Sequence, residues 1–171
     1  MAKRKGAPVK KVRQAQTTVL IVGEGDSDVA FIKHLCRLYN VRGCGVAVTV
    51  HNAHGYGPEN VIEVTARNRM AFDRRVALLD TDLEWSFTVR NRAKSEHIEM
   101  LPSEPCLEGL LLLIMEKSVP DRSDQCKKVF KEDDLKSLIW YEKHLSQQML
   151  NQRREKVSTL ARLIELVSCS G

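Results

Sequence analysis

The sequence predicts an α/β fold: one domain with a central, mostly parallel sheet of about four strands, flanked by helices and followed by a helical C-terminal region. Three observations predict it. Short apolar, β-branched runs stand at 19–22, 46–50 and 76–79, each bounded by turn residues, with helical periodicity between them. The first reads as a strand buried on both faces and the third as a buried strand, as the strands of a parallel sheet are. At 171 residues and 43% hydrophobic content, the chain can enclose one full core but is short for two.

Taken in order, Val19–Val22 is the first strand and GEGDSD ends it. Gly23 and Gly25 permit a tight turn around Glu24. Asp26 or Ser27 caps the following helix, in which Val29, Phe31, Ile32, Leu35 and Leu38 recur at helical spacing. After the loop NVRGCG comes a second strand at Val46–Val50, then the turn-rich stretch HNAHGYGPEN. Pro58 suits the first turn of a helix that runs through Val61, Ile62, Val64 and Thr65 toward Arg69. Val76–Leu79 is the third strand. Leu83–Ala93 is expected to be helical, with Trp85 and Phe87 as anchors, and His97–Leu101 to be a fourth, shorter strand. Glu104 as cap and Pro105 at the first position open a helix that is apolar nearly all round from Leu107 to Met115 and is therefore buried. The remainder, from about Lys127 to Val167, is charged and helical.

The net charge of +5 is concentrated in residues 1–16, where Lys3, Arg4, Lys5, Lys10, Lys11 and Arg13 have no acidic companion. That segment is expected to be a basic flexible tail able to track phosphates without specifying bases. Residues 17–171, near neutral, are expected to form the domain. Five cysteines without a CxxC pair argue against a disulfide framework or zinc knuckle and for reduced thiols in a cytoplasmic protein. The longest apolar run, Leu110–Met115, is far short of the roughly 20 residues that cross a bilayer, so no membrane partner is expected. An aromatic content of 5% argues against a base-stacking surface.

Four carboxylates stand where a parallel sheet gathers them: Glu24 after the first strand, Asp80 and Asp82 after the third, and Glu108 on the buried helix. On an extended segment Asp80 and Asp82 would point the same way, about 6 to 7 Å apart. Unneutralised charges about 4 Å apart repel by roughly 4 kcal/mol at an effective dielectric near 20, which a divalent cation would relieve. Oxygen ligands select Mg²⁺ or Mn²⁺, which polarise phosphodiesters and activate water. A lone carboxylate such as Glu108 on a leucine-rich helix is costly without a partner.

EGDSDVAFIKHL after one strand, LLDTD after a later one and SEPCLEGLLLL opening a helix resemble the Toprim superfamily, and most closely its RloB-like branch. The resemblance covers roughly Thr17 to Met115. Glu24, Asp80, Asp82 and Glu108 match the family's acidic positions, and Gly25, Pro105 and Cys106 match beside them. The chain departs from the family at Glu104, where asparagine is usual, at Leu107 in place of an aromatic residue, and at Gly109 and Leu110. The resemblance implies a compact domain on a parallel sheet and Mg²⁺-dependent work on the phosphodiesters of nucleic acid. Glu24 would be general acid/base or metal ligand, Asp80 and Asp82 metal ligands, and Glu108 a ligand or the residue that orients them. RloB-like proteins are associated with phage defence and often with a separate ATPase. This chain has no GxxxxGK[ST], so an ATP-driven step would need such a subunit.

Lesser candidates are His51, His54 and Tyr56 near the second strand, and Lys33 and His34 on the first helix, one of which could face a phosphate. Arg67, Arg69, Arg74 and Arg75, with Arg90 and Arg92, form two basic clusters flanking the third strand. Asp121, Asp124, Asp133 and Asp134 read as solvated charges, and Arg153, Arg154, Lys156 and Arg162 lie on helices that pack on the sheet or on a partner. Two other functional classes stand beside the nuclease: a Toprim domain without turnover, serving as a sensor or binding subunit, and a receiver-like phosphoacceptor. The lack of a convincing lysine after a later strand argues against the second.

Overall fold

A computed structural model describes residues 17–68, 70–131 and 133–169; the basic segment 1–16 and Arg69 lie outside the described residues. All four expected strands are present and all neighbours are parallel. They are β1 (Thr17–Gly23), β2 (Val46–Asn52), β3 (Arg74–Asp80) and β4 (Ile98–Ser103), in spatial order β2-β1-β3-β4. The helices are α1 (Asp26–Tyr39), α2 (Gly57–Arg67), α3 (Phe87–Ser95), α4 (Leu107–Ile114), α5 (Ser123–Lys127), α6 (Leu138–His144), α7 (Gln147–Arg153) and α8 (Ser158–Val167), with a 3₁₀ turn at Asp134–Lys136.

The connection from β1 through α1 to β2 moves one way across the sheet; those through α2 to β3 and α3 to β4 move the other way. Right-handed crossovers running in opposite directions put their helices on opposite faces. The core divides accordingly. Val19 and Ile21 of β1 and Val76 and Leu78 of β3 pack with α1, α4 and the C-terminal helices; Leu20, Val22, Ala77 and Leu79 face α2 and α3. The direction reverses between β1 and β3, and the crevice at the carboxyl ends of those two strands is where such sheets build sites.

Tyr141 on α6 locks the C-terminal region to this frame. Fully buried, it lies against Phe31 and His34 of α1 and Trp140, and its hydroxyl donates to the Ser27 carbonyl at 3.1 Å. Arg162 on α8 makes a paired contact to Glu99 of β4 at 2.6 and 2.8 Å. Arg153 donates to the Ile114 carbonyl and pairs with Glu116. Arg162 thus packs on the sheet and Arg153 on the end of α4, while Arg154 and Lys156 are exposed.

Several local expectations change. Residues 83–86 are not helical, because the Trp85 indole donates to the Asp80 carbonyl at 2.9 Å and Ser86 caps α3 through the Val89 N–H. Phe87 is 80% exposed rather than an anchor. Helix α4 begins at Leu107 with Cys106 as its cap residue, two positions later than Pro105 would have it. The Pro105 carbonyl is engaged elsewhere, accepting the Thr81 and Asp82 N–H groups at 3.0 Å each, and the Glu104–Pro105 peptide is cis. The C-terminal region is helical as expected, divided into three helices and a 3₁₀ turn.

Candidate active site

The sequence GEGDSD turns the chain at the end of β1, by a different device from the one its glycines suggest. Gly25 caps α1 with φ −146°, an extended angle open to any residue. Its N–H donates to Asp28 Oδ2 at 2.9 Å, so Asp28, not Asp26 or Ser27, closes the first turn. Gly23 is required by proximity instead: a Cβ there would collide with the Asp28 Cβ. Asp28 thereby sits 6% exposed beneath the turn that carries Glu24.

Glu24 reaches across to β3. Its Oε1 accepts the Asp80 N–H at 3.0 Å, and its carbonyl accepts the Gly55 N–H at 2.8 Å, which ties the β2–α2 loop to the same turn. Asp80, the last residue of β3, accepts the Leu107 N–H on Oδ1 at 3.2 Å and so meets the positive end of α4. Strand β3 ends there. Thr81 and Asp82 bend away because their N–H groups bond the carbonyls of Ser103 and Pro105, so Asp82 is exposed and does not continue the extended segment that would have faced it beside Asp80. Glu108, half-buried in the first turn of α4, completes the group.

These carboxyls act on one another. Burial, then the charges of Glu24 and Asp28, push Asp80 up to about 8, against a smaller opposing effect of Lys127. Burial and the charges of Glu24 and Glu108 push Asp28 up to about 7 despite the Gly25 N–H. Burial raises Glu24 as well, with Asp82 adding to it and the Asp80 N–H and Lys127 opposing. Burial lowers the Lys127 ammonium pKa, but Glu108, Asp80, Cys106 and Asp82 outweigh it and hold the charge on. The four carboxylates picked out by sequence thus share one field with two residues that sequence reasoning missed. Asp28 had a signal, an acid three positions after a possible cap residue. Lys127 had none, since only the packing of α5 on α4 brings it there.

Among the described residues, no three His, Cys, Asp or Glu side chains are arranged to hold a metal ion by themselves. Mg²⁺ needs fewer, since it keeps waters and takes one or two carboxylates plus substrate phosphate oxygens. The all-oxygen donors, and the mutual repulsion that together with burial raises Asp80 and Asp28, suit a cation that would offset that charge.

The lesser candidates mostly lie elsewhere. His34 is buried on α1, stacked on Tyr141 with Nε2 at 2.8 Å from the Leu145 carbonyl, and cannot face a phosphate; Lys33 is exposed. Arg74 and Arg75 open β3 at the opposite edge of the sheet, where Arg75 binds the Asn68 and Met70 carbonyls; Arg67 pairs with Glu63. Arg90 on α3 lines a hollow with Asp82 and donates to the Trp85 carbonyl, whereas Arg92 pairs with Glu63 and Glu96 on the flank of α2 and α3. His51 is the penultimate residue of β2, and His54 and Tyr56 follow it, both exposed. Asp121, Asp124 and Asp133 are exposed and Asp134 half-buried in the 3₁₀ turn. All five cysteines are free, and no helix among the described residues is long and apolar enough to cross a membrane.

No family model, curated protein or solved structure matches the chain. The fold and these side chains therefore carry its functional reading.

Proposed function

We propose that the chain is a divalent-metal-dependent nuclease of the Toprim, RloB-like kind, hydrolysing phosphodiesters of DNA or RNA in the cytoplasm in defence against foreign nucleic acid, with a separate ATPase as partner. The observation that carries the proposal is the Glu24 carboxylate bonded to the Asp80 N–H at the reversal point of a parallel sheet, with the charges of Asp82 and Glu108 acting on the same acidic group. Asp80 and Asp82 would hold Mg²⁺ or Mn²⁺, with Glu108 as a further ligand or as the group that orients them. Bound there, the ion supplies Lewis acidity toward a phosphoryl oxygen.

The chain's own residues divide the remaining work. Glu24, whose pKa burial raises and whose Oε1 is fixed by the Asp80 N–H, is the proposed general acid/base. Helices α1 and α4 direct their positive N-terminal ends at the same edge, which favours an anionic substrate. Lys127 offsets part of the acidic charge that would otherwise repel it.

The test is cleavage of plasmid DNA, single-stranded DNA and tRNA in Mg²⁺, Mn²⁺ or EDTA, by the wild type and Glu24→Gln. Cleavage is expected to require both the metal and Glu24; equal turnover by the variant would remove Glu24 from the mechanism. A second reading, a non-catalytic sensor or binding subunit of an ATPase-containing complex, draws on the lack of a three-donor set among the described residues and on the lysine in the acidic group. Metal binding in calorimetry without cleavage of any substrate would favour it.

A further inference from the structure

The acidic edge is flanked by a cavity and by two exposed aromatic rings. On the α1 and α4 face, Ser27, Glu108, Lys127, Phe130, Lys131 and Lys136 are among the residues lining a cavity of about 290 Å³. Glu108 belongs to the acidic group itself, and Lys127 interacts with Glu108, Asp80 and Asp82, so cavity and acidic group are continuous. On the α2 and α3 face, two aromatic rings stand in solvent at the same edge of the sheet: Tyr56, 89% exposed before α2, and Phe87, 80% exposed at the start of α3. The two helix starts are neighbours, linked by the Ser86 hydroxyl to Glu59 at 3.5 Å.

Tyr56 is held out by its backbone. It occupies the left-handed region at φ 69°, which is uncommon for a bulky residue and costs on the order of 1 kcal/mol or more. Packing does not account for that conformation, since the ring buries almost nothing.

We propose that the substrate is an unpaired nucleic-acid strand, running over the sheet edge from the lysine-lined cavity, across Glu24 and Asp80, to Tyr56 and Phe87, on which its bases stack. The inference rests on the reading of the acidic edge as a nucleic-acid site. Lysines in the cavity meet the phosphates, as cations track a backbone, and the aromatic pair meets bases whose faces are free. In a duplex those faces are covered by neighbouring pairs, and a cavity of about 290 Å³ admits a nucleotide, not a double helix. Two exposed rings suffice for two bases, which is consistent with the low aromatic content of the chain.

The test is binding alone, read by fluorescence anisotropy of labelled oligo-dT, oligo-U and a mixed-sequence duplex, with Glu24→Gln in Mg²⁺ as the background so that no cleavage intervenes. Single strands are expected to bind at least about tenfold tighter than the duplex. Adding Tyr56→Asn, which tolerates the left-handed backbone, together with Phe87→Ala should weaken single-strand binding about tenfold or more while leaving its salt dependence unchanged. Tyr56→Phe with Phe87→Tyr should restore it, which separates stacking from any effect on folding. Replacing Lys127 and Lys131 by Ala should lower the slope of log affinity against log salt by about 1.4. Equal or tighter duplex binding, or wild-type affinity in the aromatic variant, overturns the proposal. Failure of the wild type to cleave would instead count against the nuclease reading, since none of these readouts depends on turnover.

Discussion

Asp80→Asn is expected to lower metal-dependent cleavage by at least about a hundredfold, the upper end of what losing even an outer-shell partner of a metal costs, and at the same time to stabilise the metal-free protein at alkaline pH. The first effect follows from removing a proposed ligand; the second follows from burial. Asp80 is pushed up to about 8 in the folded chain against an ordinary value of 3.8. The folded state therefore keeps a proton there that the unfolded state releases. Its stabilising contribution is full below a pH of about 4 and is lost as pH rises through about 8. Asparagine has no charge to develop, and its Oδ1 can still accept the Leu107 N–H that Asp80 accepts now. Thermal melts in EDTA should show wild type and variant level at about pH 4 and the variant ahead at about pH 9, with Mg²⁺ raising only the wild type appreciably. A variant less stable at both pH values would show that the carboxylate serves the fold and not a site.

Gly109→Ala is expected to produce a large loss of stability from one added methyl. Helix propensity alone favours alanine by about 1 kcal/mol inside a helix. Sterics oppose it and win. A Cβ at position 109 would lie 2.5 Å from Pro105 Cδ and 2.7 Å from the Glu104 carbonyl oxygen. Those are a ring and a backbone group, not the end of a flexible side chain, so α4 or the 104–106 segment must move. Overpacking of this kind costs about 3 kcal/mol at the upper part of its usual range, which for a chain of this size is a fall in Tm of about 6 to 12 °C. The same segment holds the site, because the Pro105 carbonyl accepts the Thr81 and Asp82 N–H groups. The variant should accordingly lose metal-dependent cleavage even well below its melting temperature. An unchanged Tm would mean that α4 can slide on its loop, and the 104–106 segment would then have no part in fixing Asp80 and Asp82.

The sequence by itself determined the parallel sheet. The apolar runs at 19–22 and 76–79 are buried on both faces, the run at 46–50 is an edge strand that half-buries Val46, Val48 and Val50 and leaves Ala47 exposed, and the periodic segments between them are crossovers. It also determined that Glu24 and Asp80 stand at strand ends, since a charge closing an apolar run marks where the strand leaves the core. Local sequence could not place what depends on a distant partner. Pro105 has the chemistry of a first helical position, yet its carbonyl serves Thr81 and Asp82, and α4 starts two residues later. His34 resembles a surface neighbour of Lys33 until Leu145 and Tyr141, more than a hundred residues on, enclose it. Asp82 looks paired with Asp80 until the end of β4 bends the chain between them. Only the tertiary structure decided that Asp28 lies under the Glu24 turn and that Lys127, on a five-residue helix far along the chain, supplies a positive charge to the acidic group. The reason is physical: hydrophobic periodicity reports which face of an element is buried, whereas the charges that meet at a sheet edge depend on strand order and on how the following helices pack, which no local pattern encodes.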